Sequence, residues 1–159
     1  MPEPPAPDAL ALDQSARELL EVEVAALAAG MGGSEAQDCL GRLAAAVATG
    51  SVPADCLTAL EQVLSLGLES GRIAGVHGRA ADTLARGLYA RTPAGRAREE
   101  QARTVTRALA ALAGATLTHL EVGSDGPGGH RLRIGTDRGE VLLRLDRGGV
   151  GVQSVTVGV

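Results

Sequence analysis

The 159-residue chain has no lysine, asparagine, phenylalanine or tryptophan, and Tyr89 is its only aromatic residue. All 15 basic residues are therefore arginine, the pattern of a GC-rich bacterial coding sequence, and no mechanism attaches to that choice. The shortage of aromatics does bear on function. Bases cannot stack on Phe, Tyr or Trp, which argues against single-stranded nucleic-acid binding. An aromatic-lined ligand pocket is disfavoured on the same ground. Cysteine is scarce too: Cys39 and Cys56 stand alone, with no CxxC and no histidine at ligand spacing. Both sit beside apolar helical positions (Leu43, Leu60 and Val63) and read as buried free thiols, with no metal and no cofactor implied.

Long apolar runs are also missing. Charge-free stretches such as 43–54 and 108–120 fall short of the ~20 residues that span a bilayer, so no membrane association is expected. The opening segment MPEPPAPDAL holds four prolines and two acids, without a basic or apolar leader region. It reads as a flexible Pro-rich arm over residues 1–9 and not as a signal peptide, which makes the cytoplasm the expected location.

What remains is 45% hydrophobic and 21% charged, which excludes a disordered or collagen-like chain. At this length folding buries roughly 70% of the unfolded surface, so a core needs no disulfide or metal. The net charge of −4 conceals an asymmetry: residues 1–71 carry −9, residues 72–107 carry +5, and the remainder is neutral. An acidic whole argues against general nucleic-acid binding. Acidic and basic helices facing each other in one bundle is the simplest expectation.

Punctuation marks five helices. Asp13 caps a first helix bearing Leu20, Val24 and Leu27 and closed by Gly30. Ser34 with Gln37 forms a capping-box pattern for a second, whose stripe of Ala36, Leu40, Leu43 and Val47 stops at Gly50. Pro53 opens a third, with Leu57, Leu60, Leu64 and Leu68 widened by Val63 and Leu66 into the broadest apolar face of the set. The glycines of GRIAGVHG (71–78) predict a break before a short fourth helix carrying Ala81, Leu84 and Leu88. Thr92-Pro93 opens a fifth, with Ala102, Val105, Leu109 and Leu112 inward and Arg96, Arg103 and Arg107 in solvent, ending near Gly114.

Beyond Gly114 the pattern has period two, with strands over 116–122, 130–136, 140–146 and 150–159. An Arg138-Gly139 hairpin loop would set Ile134 against Leu143, Leu132 against Leu145 and Arg133 against Arg144. A Gly148-Gly149 loop would likewise set Leu145 against Val152. The valines of the last strand change phase near Gln153-Ser154, which predicts a β-bulge there. The expected fold is α+β: an N-terminal bundle of about five helices over residues 10–114, then a four-stranded antiparallel β-meander over 115–159 packed on the last helix.

No motif names a reaction. The Gly-rich segments match neither a dinucleotide loop nor a Walker loop, and Ser65, Ser70 and Ser154 lack a nucleophile elbow, so no catalytic residue is assigned. One sheet face gathers Arg131, Arg133 and Arg144, with His119, Glu121 and Gln153 nearby. Like charges opposed across strands call for an anion or an acidic side chain between them, which makes this a candidate partner- or anion-binding face. Glu121 and Asp146 could instead neutralise it. His119 and Glu121 share strand spacing but lack a third metal ligand. The last strand (Val152, Val155, Thr156, Val157) has no charge from Gly148 onward, an undefended edge suited to pairing with another chain. These features predict a non-catalytic accessory or assembly protein acting through the sheet edge, the arginine face and the acidic first helices, with a protein partner or a second copy of itself. The alternative is a small enzyme or sensor that binds an anionic small molecule near His77, His119, Glu121 and the sheet arginines.

Overall fold

The computed structural model describes residues 9–30, 32–146 and 149–157, and for Ser34 and Val157 the backbone alone. Residues 1–8 of the Pro-rich arm, Gly148 of the last turn and Val159 lie outside the described residues. The chain divides into two compact units between Gly95 and Arg96.

The first unit begins with a short ladder absent from the sequence reading: β1 (Leu10–Ala11) pairs antiparallel with β2 (Ser51–Val52). Between them stand α1 (Gln14–Gly30) and α2 (Ser34–Thr49). Asp13 caps α1 as expected, its Oδ1 accepting the Ala16 N–H at 2.8 Å. In α2 the cap position belongs to Gly33 and Ser34 is already helical, so the expected capping box has no cap residue to build on. Leu40, Leu43 and Val47 are buried, and Gly50 closes the helix in the left-handed region at φ 77°. A single 3-10 turn (Ala54–Cys56) follows Pro53 and leads into α3 (Leu57–Glu69). There Leu57, Leu60, Val63 and Leu64 are buried, whereas Leu66 lies off the stripe and is exposed.

The fourth helix differs from expectation. α4 runs from Arg72 to Arg91 and is broken at Gly78 (φ 82°, ψ 178°), so the expected break before the stretch carrying Ala81, Leu84 and Leu88 is present, but Arg72–His77 ahead of it is helical despite Gly75. Ile73, fully buried, anchors that first stretch, and Ala85 and Leu88 anchor the rest. Thr92 then ends α4 and starts α5 (Pro93–Ala110): its hydroxyl donates to the Tyr89 carbonyl at 2.8 Å and accepts the Gly95 N–H at 3.2 Å.

The second unit is the rest of α5 and a sheet of β3 (Leu117–Ser124), β4 (His130–Thr136), β5 (Gly139–Asp146) and β6 (Gly149–Val157), antiparallel in the order β3-β4-β5-β6. The α+β fold, five helices and then a four-stranded antiparallel meander, is as expected. So is its packing: Val105 and Leu109 of α5, with Leu112 just past its end, lie on Leu132, Ile134, Val141, Leu143, Val150 and Val152. Arg96, Arg103 and Arg107 are exposed as anticipated, but so is Ala102, which had been placed inward.

The register is offset from the expected one by two residues. Ile134 opposes Val141 and Leu132 opposes Leu143, with Thr136 opposite Gly139. Thr136 fixes this, since its hydroxyl donates to the Gly139 carbonyl at 2.9 Å and accepts the Arg138 N–H at 3.2 Å. The loop is therefore Asp137-Arg138. The next hairpin shifts equally, pairing Leu145 with Val150. A slip of two leaves every side chain on its expected face. The bulge falls where the valine phase predicts: Leu143 opposes Val152 and Leu142 opposes Ser154, leaving Gln153 as the extra residue.

Among the described residues, no helix is long and apolar enough to cross a membrane. Gly67 of α3 is a tight interhelical position in the core, because a Cβ there would lie 2.6 Å from Ile73 Cδ1 and 3.0 Å from Glu23 Oε2. Gly67→Ala should therefore destabilise the first unit by about 1–3 kcal/mol, the usual cost of overpacking. A lowered urea midpoint measures it.

Candidate functional site

The outer sheet face gathers the residues singled out in the sequence, but each arginine is already engaged. Arg131 opposes Arg144 across β4 and β5, while Arg133, expected opposite Arg144, faces Leu142. Asp125, from the loop after β3, reaches both members of the like-charged pair, at 3.6 Å from Arg131 and 3.7 Å from Arg144. It is the acidic side chain that such a pair requires. Asp146 adds a contact to Arg144 at 3.1 Å. Arg133 lies between Glu121 at 3.7 Å and Glu140 at 3.6 Å.

His119 leans inward over Gly135, where a Cβ would overlap its ring, and brings Nε2 within 3.5 Å of Glu140 on β5. Glu121 and Asp146 thus act as neutralisers, joined by Asp125 and Glu140, which the sequence reading missed. Four carboxylates meet three guanidiniums here. Such partly exposed pairs contribute little stability individually, but they leave no surplus positive charge for an anion.

The two outer strands differ on the opposite, apolar face. On β6, Val152 packs with the α5 cluster, Val155 is 41% exposed, Thr156 opposes Glu140 on the outer face, and Val157 opposes Gly139. On β3, Leu117, Leu120 and Val122 are 56%, 59% and 68% exposed. They lie opposite Thr136, Ile134 and Leu132 respectively, on the face that α5 covers elsewhere. The sequence contained this strip, but nothing in it revealed which strand α5 leaves bare.

A second cluster belongs to the first unit, whereas His119, Glu121 and the sheet arginines belong to the second. Glu23 of α1 is 1% exposed. Its Oε2 accepts from the Arg72 guanidinium, and its Oε1 lies 2.9 Å from His77 Nε2. A carboxylate only accepts, so the imidazole donates through Nε2 in this contact. His77 lines an open cleft of about 660 Å³ between α1 and α4, together with Asp13, Glu18, Leu19, Val22 and Leu84. The two acids make the cleft inhospitable to an anion.

Among the described residues no other side chain bonds His77, and no group of three or more His, Cys, Asp or Glu residues could hold a metal ion. The Arg72–Glu23 pair also joins the acidic first segment to the basic one, while Arg86–Asp82, Arg103–Glu99 and Arg107–Glu100 are pairs within single helices. Glu23 escaped the sequence reading, although an acid three residues after Leu20 and four before Leu27 sits squarely on the apolar stripe.

The chain matches no protein-family model and has no significant match among curated proteins or solved structures.

Both cysteines are free; Cys56 is buried and Cys39 half-buried. Burial, with a smaller contribution from Asp55, pushes the Cys56 thiol up from its ordinary value. Alkylation at neutral pH should therefore label Cys39 first and Cys56 only on unfolding, as peptide mapping would record.

Asp125→Asn tests the sheet face. Removing the shared carboxylate leaves Arg131 facing Arg144, at a cost of about 1 kcal/mol or less. The variant should then gain more thermal stability from added phosphate than the wild type does. Equal gains would show that Asp125 does not neutralise the pair.

Proposed function

We propose that the protein is a non-catalytic accessory or assembly component that works through protein–protein contacts of its C-terminal sheet. The observation that carries this reading is the apolar strip of Leu117, Leu120 and Val122, more than half exposed on an outer strand. Natural edges are defended by charge, proline or a covering element, and an uncovered apolar edge strand is a site for pairing. The saturated arginines support contact over anion capture, because each guanidinium is already matched by a carboxylate.

The simplest partner is a second copy of the chain, since two-fold pairing closes the assembly. The acidic first helices, with Glu18 and Glu21 exposed, offer a further surface for a protein partner. In this reading neither nucleic acid nor membrane is engaged. The working compartment is the cytoplasm, where two free thiols stay reduced.

Light scattering over a concentration series tests the reading. At tens of micromolar the mass should approach twice the 16.0 kDa of one chain. It should persist at about 0.5 M salt, where only charge-driven contacts are screened. A monomer at every concentration sinks self-assembly; dissociation by salt alone moves the contact from the apolar edge to the charged surfaces.

A further inference from the structure

We infer that β3, and not the uncharged β6, is the edge through which two copies pair, antiparallel and with Leu120 on the two-fold axis. This deepens the assembly reading and rests on it. Three observations converge.

The first is coverage. α5 lies over β4, β5 and β6, where Val150 and Val152 join its cluster, and leaves Leu117, Leu120 and Val122 of β3 in solvent. Pairing β3 with its mate brings the two strips side by side on one face of a continuous sheet.

The second is the state of the edge itself. β3 contains no proline, and its polar side chains His119 and Glu121 are drawn away from the free edge. The His119 ring lies over Gly135 and reaches Glu140 on β5, two strands in, while Glu121 is turned toward Arg133 on β4. The groups that would guard an edge are thus spent inside the sheet.

The third is register. In an antiparallel self-pair, opposed residues share a face, so the axis must pass through a residue and not between two. With the axis at Leu120, Leu120 meets its own copy and Glu121 of each chain opposes His119 of the other. An axis at Glu121 sets two carboxylates directly opposite, which is unfavourable. An axis at Val122 sets Val122 against its own copy but Leu120 against Ser124 and Glu121 against Gly123, which loses the match of Glu121 with His119. Of these three axes, the one at Leu120 combines an apolar self-contact with Glu121 facing a histidine and not a second carboxylate or a glycine. The register irregularity at Thr118 interrupts the strand beyond His119, so the paired ladder is short.

Two kinds of variant test this. Leu120 is exposed, so Leu120→Lys should keep the far-ultraviolet circular dichroism of the wild type while converting the dimer to monomer. Thr156→Lys, on the outer face of β6, should leave the dimer intact. Under mild oxidation Leu120→Cys should form a dimer whose mapped disulfide joins position 120 to position 120, distinct from any link through Cys39 or Cys56. Glu121→Cys should not link to itself.

A self-link at 121, or the absence of one at 120 in a dimer that Leu120→Lys abolishes, overturns the register. Dissociation by Thr156→Lys with Leu120→Lys still dimeric overturns the choice of β3 while assembly stands. A wild type that stays monomeric overturns both and leaves the strip to a different chain.

Discussion

A carboxylate taken out of water must find donors, and in the first unit that requirement falls on Glu23. Leaving it unpaired at 1% exposure would cost several kcal/mol. Arg72 and His77 answer it from a stretch of chain with glycines at 71, 75 and 78, which by propensity would be a turn. The Arg72–His77 stretch of α4 is helical because its two donors, five residues apart, face one buried acceptor and because Ile73 between them is fully buried. Gly67 completes the arrangement from α3, since any side chain there would strike both Ile73 and the Glu23 carboxylate. One ion cluster thereby ties α1, α3 and α4 together. Both carboxylate oxygens are engaged within it, Oε2 by Arg72 and Oε1 by His77.

Much of the fold was legible because its signals are local. Asp13, Gly50 and Thr92 mark helix ends through their own backbone bonds, and the period-two pattern after Gly114 could form nothing but strands. The bulge at Gln153 could be read because a change of phase is itself a sequence feature. The misses are of a different kind. The register slipped by two residues because both loops are chemically acceptable, and only the Thr136 hydroxyl distinguishes them. The helical start of α4 was missed because its cause, Glu23, lies 49 and 54 residues away. Asp125 was missed as the neutraliser of Arg131 and Arg144 because it sits in a loop, where strand alternation gives no direction to a side chain.

Charge on the sheet follows from that neutralisation. A row of arginines reads from sequence as a binding face because only residues on the same strands are visible in the pattern. In three dimensions a loop aspartate and a glutamate from β5 enter the same row, and the face becomes slightly acidic overall. The compensation has a geometric consequence. Two of the contacts reach inward from the outermost strand, His119 toward Glu140 and Glu121 toward Arg133. Saturating the face therefore strips the edge.

The bare apolar strip has an equally simple origin in dimensions. Strands lie about 4.8 Å apart, so four of them present a surface about 14 Å wide between outer axes, and wider with side chains. An α-helix with its side chains is about 10 Å across. One helix can cover three strands well or four badly, and within the second unit α5 is the helix packed on the apolar face. α5 sits over β4, β5 and β6, so the uncovered strand is β3. A second covering helix from the same chain would have removed the strip; a second copy paired at β3, as proposed, would set the two strips side by side and shield their facing flanks with no additional sequence.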